Sequence, residues 1–170
     1  MIGLLYTTIL CEMGTLVRYN PEELRCLQLI ELEILLTIDE MCRKLAIPYF
    51  LDSGSALGAM RHGGFIPWDD DIDIGMMRED YERFLAVAPE ELPQGYRLLR
   101  PGAAEGYAPM WAKIMKEDTK FYTRETLEAG LDQGVFVDVF PYDRLCADES
   151  AAQRQLRSCR ILQRASYLYH

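Results

Sequence analysis

The chain has 170 residues, 49% of them hydrophobic, which predicts a single globular domain over residues 1–170 that buries about two thirds of its unfolded surface. With 18 basic against 27 acidic residues and a net charge of −9, the composition argues against broad, non-specific binding to nucleic acid, so no nucleic-acid partner is expected. Cys11, Cys26, Cys42, Cys146 and Cys159 are odd in number and form no CxxC pair, which predicts reduced, structural thiols in a cytoplasmic compartment. Residues 1–19 stay open between a strand over Ile2–Leu10 and a leader. Met1–Val17 is apolar but holds Glu12 and has neither a basic start nor a cleavage site. It therefore does not read as a signal peptide. It is also too short and too interrupted to span a membrane, so any membrane association would be peripheral.

Asn20 opens a helix: it is a good N-cap, Pro21 suits the first helical position, and Glu23 falls where a capping box needs an acid. Leu27, Ile30, Ile34, Ile38, Met41 and Leu45 follow in steps of three and four. They predict one core-facing stripe that ends near Lys44 or Leu45. Ile47–Asp52 reads as a short strand. It enters Ser53-Gly54-Ser55, a small-residue turn at the start of a short helix. Unpaired backbone N–H groups at such a start carry partial positive charge and bind phosphate. Gly54 would let a phosphate approach the backbone, and the Ser55 hydroxyl would donate to it; taken alone, a Gly-Ser pair is more often a simple turn. His62-Gly63-Gly64-Phe65 is a flexible turn whose histidine need not have a role.

Next comes Ile66-Pro67-Trp68-Asp69-Asp70-Asp71-Ile72-Asp73-Ile74-Gly75, with four carboxylates in five residues. From Asp71 the polarity alternates, which predicts a half-buried strand with Asp71 and Asp73 on one side and Trp68 packed below. Residues i and i+2 of a strand lie about 6.5–7 Å apart. Two carboxylates so placed repel unless a cation sits between them, and Mg²⁺ takes one or two carboxylates plus substrate phosphates. A solvated acidic loop is the plainer alternative. A calcium loop of the EF-hand type fits poorly, because Ile74 stands where that loop needs glycine.

Arg78–Val87 reads as an amphipathic helix, and Pro89 and Pro93 bracket a polar connection. Strands are predicted over Tyr96–Arg100, Tyr107–Lys116 and Lys120–Thr123, with loops at 101–106 and 130–134. Lys113 shares a face with Trp111 and Met115, so it either snorkels to the surface or points into the cleft. Val135–Pro141 is a strongly apolar strand carrying Asp138. Apolar residues on both faces predict an interior strand. A buried Asp there needs a partner or a metal, unless the strand lies at an edge and the carboxylate meets water. Asp148 onward reads as a helix that reaches His170 without a cap, which predicts a truncated domain.

Leu51–His62, Gly64–Ile74, Asp80-Tyr81 and Val137–Pro141 together resemble the LicD family of the nucleotidyltransferase superfamily, over about Pro21–Leu145. The superfamily pattern is a Gly-Ser turn, a strand with Asp-x-Asp and a carboxylate on a later strand. Gly54-Ser55, Asp71/Asp73 and Asp138 fill those places. The resemblance implies an α/β (α+β) fold, a mixed twisted sheet flanked by helices. It also implies transfer of a phospho-alcohol such as phosphocholine from a CDP-linked donor to a glycan acceptor; fukutin-related proteins are similar and use ribitol phosphate. On that reading Asp71, Asp73 and Asp138 hold Mg²⁺ or Mn²⁺, and Asp138 alternatively takes the acceptor's proton. Gly54 and Ser55 hold phosphate, and Arg61 and Lys113 neutralise developing charge. Nucleotidyl transfer, and a non-catalytic fragment that only binds nucleotide, are the rival readings. The family usually extends beyond this length, and residues 1–19 have no counterpart in it.

Overall fold

A computed structural model describes residues 19–102, 107, 109–122 and 124–166. The expectations for residues 1–18, Cys11 among them, and for most of the loop at 101–106 lie outside the described residues. Helix α1 (Pro21–Leu45) begins where the sequence places it: the Asn20 side chain accepts from the Glu22 N–H at 3.0 Å. It stops at Ala46, which takes the left-handed conformation (φ 51°). The Ile47 N–H then bonds back to the Cys42 carbonyl at 2.9 Å.

Five strands form one sheet in the order β1 (Phe50–Leu51), β2 (Asp73–Met77), β5 (Phe136–Tyr142), β4 (Ala112–Lys116), β3 (Tyr96–Leu99). Strands β2 and β5 are parallel and every other pair is antiparallel. This is the expected mixed α/β sheet, and β5 lies at its centre. Alternation divides the sheet into two faces. Ile74, Met76, Ile114, Val137 and Val139 join the main core with Leu27, Ile34, Ile38 and Met41 of α1, and with Tyr81, Phe84 and Ala88 of helix α3 (Arg78–Glu91). The opposite face carries Asp73, Lys113 and Asp138, flanked by a smaller cluster of Leu99, Tyr107 and Met115. Helix α2 (Ser53–His62) connects β1 to the acidic segment, and α5 (Glu149–Ser166) closes the described chain. No helix among the described residues is long and apolar enough to cross a membrane.

Several local expectations change. Helix α3 runs through Pro89, because that residue opens the last turn and the Leu92 N–H bonds back to the Ala88 carbonyl at 3.0 Å. The strand predicted over Lys120–Thr123 does not form among its described residues. There Phe121 is buried and bonds to the Gln133 carbonyl as an extended connection, and the short helix α4 (Arg124–Glu128) follows. Trp68 does not pack beneath the strand: it sits in a turn and is 75% exposed. The strand β2 itself starts at Asp73, which leaves Asp71 in the loop before it.

Candidate active site

The amino ends of the two parallel strands bring the acidic residues together. Asp73 and Asp138 are register partners on β2 and β5, and the Asp138 N–H bonds to the Ile72 carbonyl at 3.0 Å. Parallel partners project side chains to the same face, so both carboxylates share one cleft. Asp71 enters from the loop two residues upstream. Ser55, in the first turn of α2, fixes the start of β2: its Oγ accepts the Asp73 N–H at 2.9 Å. That bond leaves the hydroxyl hydrogen to donate elsewhere. Asp52 caps α2 through the Ser53 N–H at 2.8 Å and receives the Tyr142 hydroxyl at 2.6 Å.

The space beside Gly54 is already filled. A Cβ there would lie 2.7 Å from Asp69 Oδ2, so the glycine admits an aspartate of the acidic loop rather than leaving a vacant cradle. Arg61 is exposed in the last turn of α2, about 12 Å along the helix from Ser53 at 1.5 Å per residue. The structure does not bring it into the cluster.

Lys113 lies in the cleft, not at the surface. It is the register partner of Asp138 on β4, and its Nζ donates to Asp138 Oδ1 at 2.6 Å. The ammonium also sits 3.4 Å from the centroid of the Phe136 ring. Trp111 Nε1 donates to the same Oδ1 at 2.9 Å. The partner that a buried Asp138 needs is thus supplied in part by a cation directly opposite on the adjacent antiparallel strand. Burial pushes Asp138 up and Lys113 down, and each opposes the other's shift.

Among the described residues, none of the other carboxylates of the cluster is hydrogen-bonded to a cation, although the Lys113 charge and the Ser53 side chain pull Asp73 down. Burial, then the neighbouring Asp73 and Asp69, push Asp71 up to about 7. Burial, then Asp138 and Asp52, push Asp73 up to about 6. Asp69 is raised as well, by burial and by Asp70. Asp69, Asp70 and Asp71 each present an oxygen within 4.8 Å of the others, and the Tyr19 hydroxyl donates to Asp70. Glu31 is a further acid that the periodicity of α1 does not single out. It is 3% exposed on the core face of α1, and burial followed by Asp71, Asp70, Asp69 and Asp138 pushes it up to about 10. Its signal was a lone acid four residues after Leu27 and three before Ile34, inside an apolar stripe. Trp111 was assigned to a strand face but not to the Asp138 carboxylate.

Such an all-oxygen donor set, crowded with carboxylates and served by one buried ammonium, is chemically suited to a hard divalent cation such as Mg²⁺ or Mn²⁺. Cation binding would offset both the burial and the mutual repulsion that raise Asp71 and Asp73.

Fold and cleft define an α/β protein with a carboxylate-lined site, and comparison with known proteins narrows this. The family model described as "LicD/FKTN/FKRP, nucleotidyltransferase domain" matches residues 46–156, and the chain belongs to that family. It is 38% identical over 120 residues to the lipopolysaccharide cholinephosphotransferase LicD of Haemophilus influenzae, covering 71% of this chain and 44% of that protein. It is 56% identical over 34 residues to human ribitol 5-phosphate transferase FKRP (20% of this chain, 7% of that one). Human ribitol-5-phosphate transferase FKTN is 34% identical over 56 residues, covering 33% and 12%. The chain therefore spans less than half the length of these relatives.

Proposed function

We propose that this domain transfers a phospho-alcohol, phosphocholine being the first candidate, from a CDP-linked donor to a hydroxyl of a cell-surface glycan, with Mg²⁺ or Mn²⁺ as cofactor. The observation that carries this reading is the pairing of Asp73 with Asp138 across two parallel strands, with Asp71 beside them and two of the three pushed toward neutral pH. Its similarity to a cholinephosphotransferase supports the choice of phosphocholine. In the reaction the acceptor oxygen forms a bond to the phosphorus bearing the alcohol. The bond from that phosphorus to the CMP phosphate breaks, and CMP leaves. A divalent cation held by Asp71, Asp73 and Asp138 would stabilise negative charge on the pyrophosphate.

The chain's own residues then have distinct tasks. Asp71 and Asp73 gather positive charge at the mouth of the cleft. Lys113 and Trp111 occupy Asp138 Oδ1 and fix its orientation, so Oδ2 is the oxygen left for the cation or for the acceptor's proton. Lys113 acts through Asp138, and its charge also reaches Asp73 and Asp71. Ser55 offers its hydroxyl hydrogen at the start of α2, beside Gly54. Arg61 would reach a donor only from outside the cleft.

The test is incubation with a panel of CDP-alcohols, Mn²⁺ and lipopolysaccharide or teichoic-acid acceptors. Release of CMP together with a labelled alcohol on the glycan supports the reading. Label from the nucleotide on the acceptor would mean nucleotidyl transfer instead. Binding of CDP-alcohol without turnover would make the domain a nucleotide-binding fragment.

A further inference from the structure

Helix α1 carries apolar residues on two opposite sides. Leu27, Ile34, Ile38 and Met41 are buried in the main core. On the far side, Leu29, Leu32 and Leu36 are 49%, 36% and 59% exposed. At 3.6 residues per turn these three leucines fall within about 60° of one another, directly opposite the core stripe. Single exposed leucines are ordinary on a protein surface. Steps of three and four residues instead join these into one continuous apolar strip, with the spacing of a seam between two helices.

Exposed charges frame the strip at both ends. Glu22 and Arg25 precede it, Glu40 and Arg43 follow it, and all four are exposed. They lie on the same side as the leucines, within an arc of about 80°. Their order is self-complementary. Turning a second α1 end for end about the point between Leu32 and Glu33 sets Arg25 against Glu40, Glu22 against Arg43 and Leu29 against Leu36. The two copies of Leu32 then flank the axis. A parallel pairing in the same register would instead set each charge against its own kind. Within the chain, Arg25 bonds to Gln28 Oε1 at 3.3 Å and Arg43 to Asp39 at 2.7 Å. A guanidinium has five N–H donors in all, which leaves some for a second carboxylate.

We propose that the outward face of α1 docks a second copy of this chain, forming a two-fold dimer in which the two α1 helices run antiparallel. The same patch then serves both copies, as a two-fold interface requires. Leu29, Leu32 and Leu36 supply its apolar centre. The pairs Arg25–Glu40 and Glu22–Arg43, each made twice, set direction and register. Three leucines per copy make a small centre, so the dimer belongs with the weak, reversible interfaces. This inference goes beyond the transfer reaction and does not depend on it. The sheet separates α1 from the face that carries Asp73, Lys113 and Asp138, so pairing leaves the cleft of each copy open.

The test is sedimentation equilibrium of the full chain at low salt, from about 1 μM to about 1 mM, the range that a small interface calls for. Expected is a reversible monomer–dimer equilibrium. Leu36→Ser, at an exposed position, should weaken it by about 10-fold or more and leave the circular dichroism of the parent unchanged. Arg25→Glu and Glu40→Arg should each weaken self-association by about 10-fold, because each sets two like-charge pairs across the axis. Mixed in equal amounts, these two variants should pair with each other as tightly as the parent does with itself, since every reversed charge then meets its opposite. A chain that stays monomeric across that range overturns the proposal, including the case in which residues 1–18 cover the strip. A dimer indifferent to the two charge reversals lies in another register or on another face, and overturns it as well. So does weakening by both reversals without recovery on mixing, which would exclude the antiparallel pairing.

Discussion

Asp138 and Glu31 are carboxylates of nearly equal burial, 8% and 3% exposed, in the same acidic neighbourhood. Their surroundings differ completely. Asp138 is met by Lys113 at 2.6 Å and Trp111 at 2.9 Å, both delivered by or beside the adjacent strand. Glu31 carries an oxygen, Oε2, with no hydrogen-bond partner among the described residues. The first is a carboxylate whose charge a cation of the fold offsets; the second is raised to about 10 by burial and its acidic neighbours, so it is held neutral by a proton. Burial alone therefore does not distinguish an ion-paired acid from a neutral one. The identity of the nearest cation does.

The largest effect should follow from removing a charge that the fold leaves uncompensated at the cleft mouth. Asp73→Asn is expected to lower transfer by about 10³-fold, the upper end of what a single charge-stabilising group supplies. Its metal-free melting temperature should stay level or rise, since the substitution relieves repulsion with Asp138 and Asp52. A CMP-release assay paired with thermal melting checks both halves. A large melting loss without metal would make Asp73 structural.

Removing the compensating cation should do the reverse. Lys113→Met leaves Asp138 buried without its ammonium, and breaking such a pair costs about 3–5 kcal/mol. Chemical denaturation measures it. A stability change under about 1 kcal/mol would mean that Trp111 alone suffices for Asp138. An ordinary core site gives the scale. Ile34 is fully buried on the same stripe as Glu31, and Ile34→Ala should cost about 2–5 kcal/mol. If Glu31→Gln cost as much as Ile34→Ala in the same denaturation series, Glu31 would belong with the packing residues after all.

The same contrast explains what could be read from the chain. Asn20, the apolar stripe of α1, the Asp-x-Asp alternation and the embedded Asp138 announce themselves locally, through caps and periodicity, so the fold class and three of the acids were legible. Glu31 was not, because periodicity averages over a stripe and one acid among six apolar residues hardly alters it. The pairing of Lys113 with Asp138 spans 25 residues and depends on register, which sequence leaves open between cleft and surface. Trp68 has apolar neighbours in sequence that suggest burial, whereas the turn holding it faces solvent. The strand expected at 120–123 failed for a similar reason: Phe121 is buried, but by a loop contact to Gln133 and not by a ladder.

A smaller effect is expected at Gly54. The new methyl of Gly54→Ala would lie 2.7 Å from Asp69 Oδ2, so the carboxylate must move. Overpacking typically costs about 1–3 kcal/mol, and alanine's better helix propensity returns about 1 kcal/mol. The net loss should be near 1 kcal/mol in urea denaturation. In an Asp69→Ala background the clash is gone, and the same substitution should become neutral or stabilising. A loss of equal size in both backgrounds would place the cost elsewhere in α2.

The gentlest perturbation is pH. Burial and neighbouring acids raise Asp71 to about 7 and Asp73 to about 6, against 3.8 for an ordinary aspartate. Between about pH 4 and pH 7 the folded chain therefore holds protons that the unfolded chain has released. Where the native state binds more protons, unfolding free energy falls as pH rises. Metal-free stability should thus decline across that window, and the contribution of this pair should be lost above pH 7. The slope is bounded by about 1.4 kcal/mol per pH unit for each proton, and partial exposure of both groups brings it below that. Surface acids act oppositely at lower pH. Lys120 holds Asp132 down and Arg78 holds Asp143 down, so their contributions disappear as pH falls through the acid range. Metal-free melting temperature should consequently peak in mildly acid solution. Saturating Mn²⁺ competes with protons for the same oxygens and should flatten the decline between pH 5 and 7.5. Asp71→Asn combined with Asp73→Asn should lessen it without any metal, leaving the decline that Glu31, raised to about 10, contributes. A parent chain whose metal-free melting temperature rises steadily over that interval would show that the two aspartates are not held above the ordinary range.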